Sequence, residues 1–147
     1  MKRLPVFASL LLAQVSFGLS NLAAFAEEVD PRVPSRAIYQ SMLDLNKDKG
    51  WIAFRNYDGK QYAYFSTLQT QHCRLSEIRY SINSRDLDQR FDVVDCNPQN
   101  PFAMPPDFKP EDILINAPLG TMKTIAVQVV WKNGDVSGIG DYKPCDN

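Results

Sequence analysis

From Trp51 onward the apolar residues recur at every second position, and that period confines most of the chain to β-sheet. Residues 77–83 alternate cleanly, with Ile78, Tyr80 and Ile82 on one face and Glu77, Arg79, Ser81 and Asn83 on the other. Residues 123–131 place Ile125, Val127, Val129 and Trp131 on one face. Residues 51–57 read as a strand, Asp58-Gly59 as a tight turn and 61–69 as the returning strand. A two-residue hairpin turn needs positive φ, which Asp-Gly adopts at low cost. Asn133-Gly134 marks another hairpin, with 135–142 returning from it, and 90–95 and 113–116 read as shorter strands. Between these lies 97–112, which holds five prolines. Proline cannot donate to a sheet ladder, so this stretch is loop or sheet edge.

Ahead of Trp51 the period is helical. Ala37, Ile38, Met42 and Leu45 repeat at turn spacing, Ser35 stands at the N-cap position of a helix over 35–45, and the polar residues 46–50 end it. About seven short strands with turn signals between them predict an antiparallel β-sandwich, immunoglobulin-like, with one short N-terminal helix; a small β-barrel is the alternative.

The first 26 residues follow different rules. Lys2 and Arg3 precede an apolar, uncharged stretch, and Ala24-Phe25-Ala26 supplies the small-x-small pattern that signal peptidase accepts. Residues 1–26 therefore read as a cleavable secretory signal peptide, 27–34 as an extended leader and 35–147 as one β-rich domain. No later segment is apolar enough to suggest a membrane span. Without Lys2 and Arg3 the chain carries 14 basic and 17 acidic residues, a net charge of about −3. That balance argues against nucleic acid as partner, which demands a cationic surface. The expected location is the periplasm or the extracellular space.

Export puts Cys73, Cys96 and Cys145 in an oxidising compartment, where two of the three are expected to pair. If 77–83 and 86–92 form a hairpin centred on Ser84-Arg85, opposed residues sum to 169, as Cys73 and Cys96 also do. They would then face each other at its open end, closing a loop worth roughly 3 kcal/mol of chain entropy. A one-residue slip would break that register. The rival pairing is Cys96 with Cys145, and the cysteine left over is free.

Complete catalytic patterns are missing. His72 is the single histidine, so histidine-based triads and most Cys/His zinc sites would all have to use it. There is no Cys-x-x-Cys and no Gly-x-Ser-x-Gly, and no cofactor is implied. Asp44, Asn46 and Asp48 imitate positions one, three and five of a calcium loop, but Lys49 stands where that loop needs glycine and Arg55 where it needs a bidentate glutamate. The plain reading is a solvated helix-to-strand loop, with no metal. Carboxylates are plentiful at Asp86, Asp88, Asp92, Asp95, Glu111 and Asp112, and a converging pair would suit glycoside hydrolysis.

The aromatic residues concentrate on the strands. Trp51 and Tyr57 share a strand face with Arg55, and Tyr62 and Tyr64 share another. Together with Phe102 and Met104 of the apolar 101–106 loop, Trp51 and Tyr57 form the expected binding surface. The leading expectation is a non-catalytic binding module that takes an envelope or extracellular protein. A carbohydrate-binding accessory domain and a small carboxylate-dependent hydrolase are the alternatives.

Overall fold

The computed structural model describes residues 30–48 and 50–144; the expected signal peptide over 1–26, residues 27–29, Lys49 and residues 145–147, with Cys145, lie outside the described residues. One helix precedes seven strands in two antiparallel sheets. The helix is α1 (Arg36–Lys47). The strands are β1 (Ala53–Tyr57), β2 (Lys60–Tyr64), β3 (Leu75–Ile82), β4 (Gln89–Phe91), β5 (Leu114–Pro118), β6 (Ile125–Trp131) and β7 (Gly140–Tyr142). One sheet runs β1-β2-β5 and the other β4-β3-β6-β7. The sandwich expected from the alternation is therefore the fold, and neither sheet closes into a barrel. The constant-type immunoglobulin sandwich pairs its fourth strand with its fifth. Here β4 pairs with β3 instead, which leaves β5 as an edge strand.

The local chemistry accounts for the hairpins. Asp58 and Gly59 have φ of 49° and 70°, so the turn closes β1 against β2 with Tyr57 opposite Lys60. In the β3–β4 hairpin Ile78 pairs with Phe91, Arg79 with Arg90 and Tyr80 with Gln89, the register in which partners sum to 169. Cys73 and Cys96 are joined in a disulfide, with Cα atoms 4.7 Å apart. After β6, the Gly134 amide donates to the Trp131 carbonyl and Gly134 has φ of 89°, which makes a three-residue loop rather than a two-residue turn.

Three element assignments differ from the alternation. The β2 strand ends at Tyr64, and Ser66–Gln69 forms a one-turn helix, α2. The cause is packing: Phe65 and Leu68, three apart, are fully buried and need a helical turn to point the same way. The helix α1 runs to Lys47, two residues past the expected end, and Ser35 makes no side-chain cap bond. The return from β6 touches it at a single Val130–Val136 bridge before β7 starts at Gly140.

The core lies between the sheets. From β3, β4 and β6 it takes Ile78, Tyr80, Phe91, Ile125, Val127, Val129 and Trp131; from the smaller sheet, Ala63, with Phe54, Ile115 and Ala117 packed against it. Phe65 stacks on Phe91 with centroids 4.2 Å apart and meets Tyr80 edge-on at 5.2 Å. The helix α1 adds Tyr39 and Leu43. Residues 30–34, expected within an extended leader, form a turn in which Val33 is buried and the Arg74 guanidinium donates to the carbonyls of Val33 and Pro34.

Candidate functional site

A tight turn decides which side chains share the outer face of the smaller sheet. With a two-residue connection, odd positions of β1 oppose even positions of β2: Ala53 meets Tyr64, Arg55 meets Tyr62 and Tyr57 meets Lys60. On the far side of β2, Tyr64 meets Leu114, Tyr62 meets Asn116 and Lys60 meets Pro118. The intervening positions, Phe54, Ala63, Ile115 and Ala117, turn inward to the core. The outer face thus carries three tyrosines, an arginine, a lysine and an asparagine. Tyr57 is 63% exposed, and Tyr62 and Tyr64 are half-buried against their neighbours. Tyr62 stands across from Arg55 and diagonal to Tyr57, and Tyr64 lies two residues further along β2, so the three side chains share one face.

The charges on this face have no acid beside them in the ladder. The Arg55 guanidinium lies over the Tyr57 ring, 5.4 Å from its centroid. The other arginines of the described residues are engaged. Arg32 pairs with Asp30, Arg36 with Asp135, Arg79 and Arg90 with Glu77, and Arg85 with Asp141 at 3.2 Å, while Arg74 holds backbone carbonyls. Arg55 has neither a carboxylate nor a carbonyl partner among the described residues. The outer face of the larger sheet shows the contrast. There Arg79 and Arg90 neutralise Glu77, and hydrogen bonding from Arg79 holds the Glu77 carboxyl below its ordinary range.

The other expected site residues lie elsewhere. Trp51 is a core residue, 2% exposed, whose indole N–H donates to the Leu43 carbonyl at 3.0 Å. The strand parity that put it on the Tyr57 face does not reach it, because β1 begins at Ala53 and Gly50 (φ 116°) bends the chain just before. Phe102 stacks on Tyr39 at 5.1 Å, and the Tyr39 hydroxyl donates to the Pro101 carbonyl, so the proline-rich loop packs on α1; Met104 is half-buried. Asp44 and Asn46 belong to α1, two residues and about 200° apart. Asp44 accepts from Gln40 and Asn46 donates to the Met42 carbonyl, which fixes their side chains on the helix rather than around an ion. No group of three or more metal-ligating side chains gathers among the described residues.

Carboxylates line grooves at two places among the described residues. One, of about 280 Å³, is lined by Asp95, Asp107 and Asp112 with Phe108 and Lys109, and Asp112 there accepts the Lys109 backbone amide at 2.7 Å. The other, of about 560 Å³, is lined by Asp48 and Asp141 with Ile52, Phe54 and Tyr142, and Asp141 is the partner of Arg85.

His72 is 1% exposed. Its Nδ1 lies 2.5 Å from the Gln69 carbonyl, so Nδ1 carries the proton and Nε2 is left without a partner among the described residues. Burial pushes its pKa down. The neighbouring Cys73 is in the disulfide, which leaves no thiol for a Cys–His pair at this place.

The chain matches no family model, no curated protein and no solved structure.

Proposed function

We propose that this chain is an exported, non-catalytic binding module that engages its partner through the outer face of β1, β2 and β5. One observation carries the reading: the hairpin register gathers Tyr57, Tyr62 and Tyr64 around an arginine that has no intramolecular acceptor among the described residues. Tyrosine and arginine are among the side chains that most often anchor a binding surface, because each brings a large flat area and directional polar atoms, tyrosine at small entropic cost. The rest of the molecule fits a scaffold. The sandwich is tied by Cys73–Cys96, a bond that forms and persists in an oxidising compartment such as the periplasm or the extracellular space. Among the described residues no helix is long and apolar enough to cross a membrane.

The reading is tested by capture from an envelope extract with the purified chain and two variants. Tyr57→Ala/Tyr62→Ser alters the proposed face, and Arg79→Gln/Arg90→Gln alters the opposite one. Loss of the captured material with the first variant and retention with the second is the expected result. Equal capture by all three refutes the assignment of the face.

A further inference from the structure

The size and charge of the tyrosine face narrow what it takes. Three strands of five residues span roughly 250 Å². A globular partner buries about 800 Å² of accessible surface on each side, so it would have to reach well beyond this plane. The face is therefore matched to a slender ligand. An extended peptide would fit by area, but lying across the face it finds no backbone donors or acceptors, since sheet amides and carbonyls point in the plane of the sheet, and those of β2 are consumed by β1 and β5, which keep unpaired groups only along their outer edges. A peptide lying there would leave its own amide groups to water. A sugar chain has no such requirement: its apolar ring faces stack on aromatic plates, and its hydroxyls bond to side chains such as Asn116 and the tyrosine hydroxyls. The charge then selects among sugar chains. Arg55 and Lys60 are the two cations of the face, and no carboxylate stands on it, in a chain that is acidic as a whole. Arg55 lies over the Tyr57 ring, 5.4 Å from its centroid, with its N–H groups unspent among the described residues, and such a guanidinium receives a carboxylate or sulfate.

Resting on the proposed binding role, we infer that the ligand is an acidic oligosaccharide. Its ring faces lie on Tyr57, Tyr62 and Tyr64, and its anionic groups meet Arg55 and Lys60.

The test is calorimetric titration of the purified chain with size-matched probes: oligogalacturonate, alginate, hyaluronan and heparin oligosaccharides as acidic glycans, maltohexaose as a neutral one, and hexaglutamate as an acidic peptide. At least one acidic glycan is expected to bind, and maltohexaose at least tenfold more weakly. Arg55→Gln, at an exposed position, is expected to weaken the acidic glycan about tenfold and to lower its salt dependence. Tyr62→Ala is expected to abolish binding while the chain stays folded with a somewhat lower melting temperature, with Tyr62→Phe retaining binding; should Tyr62→Ala fail to fold, exposed Tyr57→Ala gives the same reading. Arg79→Gln, on the other sheet, is expected to bind as the parent does. Failure of every acidic glycan, or tighter binding of maltohexaose or hexaglutamate through the same tyrosines, overturns the inference and leaves the binding face standing. Acidic-glycan binding that survives the tyrosine and Arg55 substitutions overturns both.

Discussion

Replacing both Cys73 and Cys96 by alanine is expected to destabilise the sandwich by about 3 kcal/mol, and to do so from one corner. The bond links residues 23 apart in sequence, and closing a loop of that length removes about 11 cal/mol/K from the unfolded chain, or roughly 3.4 kcal/mol at 25 °C. For a domain of this size that corresponds to a fall in melting temperature of about 12 °C. The loss should be local first. The strand β4 has three residues, pairs only with β3, and is tied down just beyond its end by Cys96. Urea denaturation gives the overall loss, and hydrogen exchange its location, with amides of β4 gaining exchange before those of β6. Measuring in a Cys145→Ala background keeps the third thiol out of the comparison. A loss under 1 kcal/mol, or exchange that rises uniformly across both sheets, would refute the loop-closure reasoning.

Burial of His72 makes stability depend on pH through one group. Its folded pKa lies below the unfolded value near 6.5, so the folded state resists a proton that the unfolded state accepts. Stability is then complete above pH 6.5 and declines as pH falls below it, by at most about 1.4 kcal/mol per pH unit; His72→Gln should flatten denaturation midpoints between pH 7 and 5.5. The Gln69 amide donates to the carbonyls of Asp92 and Asp112 at 2.7 Å and accepts from the Val94 amide at 3.3 Å. Gln69→Leu should cost about 2–3 kcal/mol in urea denaturation, at roughly 1 kcal/mol for each lost bond. A Cβ on Gly140 would stand 2.8 Å from the Tyr142 ring, whose hydroxyl donates to the Lys47 carbonyl at 3.1 Å. Gly140→Ala should therefore cost about 1–3 kcal/mol and loosen the end of α1, read as faster exchange there.

The sheet architecture was legible because its determinants are local. Alternation over 77–83 named Ile78 and Tyr80 of the core, though not Leu75 at the start of β3, and a turn centre at Ser84-Arg85 was enough to bring Cys73 and Cys96 together. The helix at Ser66–Gln69 was not legible from alternation. There the deciding fact is that Phe65 packs on Phe91 and Tyr80, residues brought in from another strand pair, while Leu68 is buried in the same core. Trp51 was misplaced for a related reason: parity carries no information past the end of a strand, and Gly50 lies just outside it. The tyrosine face had a signal that strand-by-strand reading passes over. A two-residue Asp-Gly turn makes opposed positions sum to 117, so Arg55 faces Tyr62 and the two rows share one face of the sheet. That Arg55 finds no acceptor among the described residues was not legible, since it depends on where every other arginine finds its carboxylate or carbonyl.

The account rests on the outer face of β1, β2 and β5 as the place where a ligand docks. Two-dimensional NMR of the isotopically labelled chain, titrated with the tightest acidic oligosaccharide of the panel, reads that directly. Shifts concentrated at Arg55, Tyr57, Lys60, Tyr62, Tyr64 and Asn116, with β4, β6 and β7 unmoved, are the expected result. Shifts centred on the Asp95–Asp107–Asp112 groove or on the outer face of the larger sheet would contradict it.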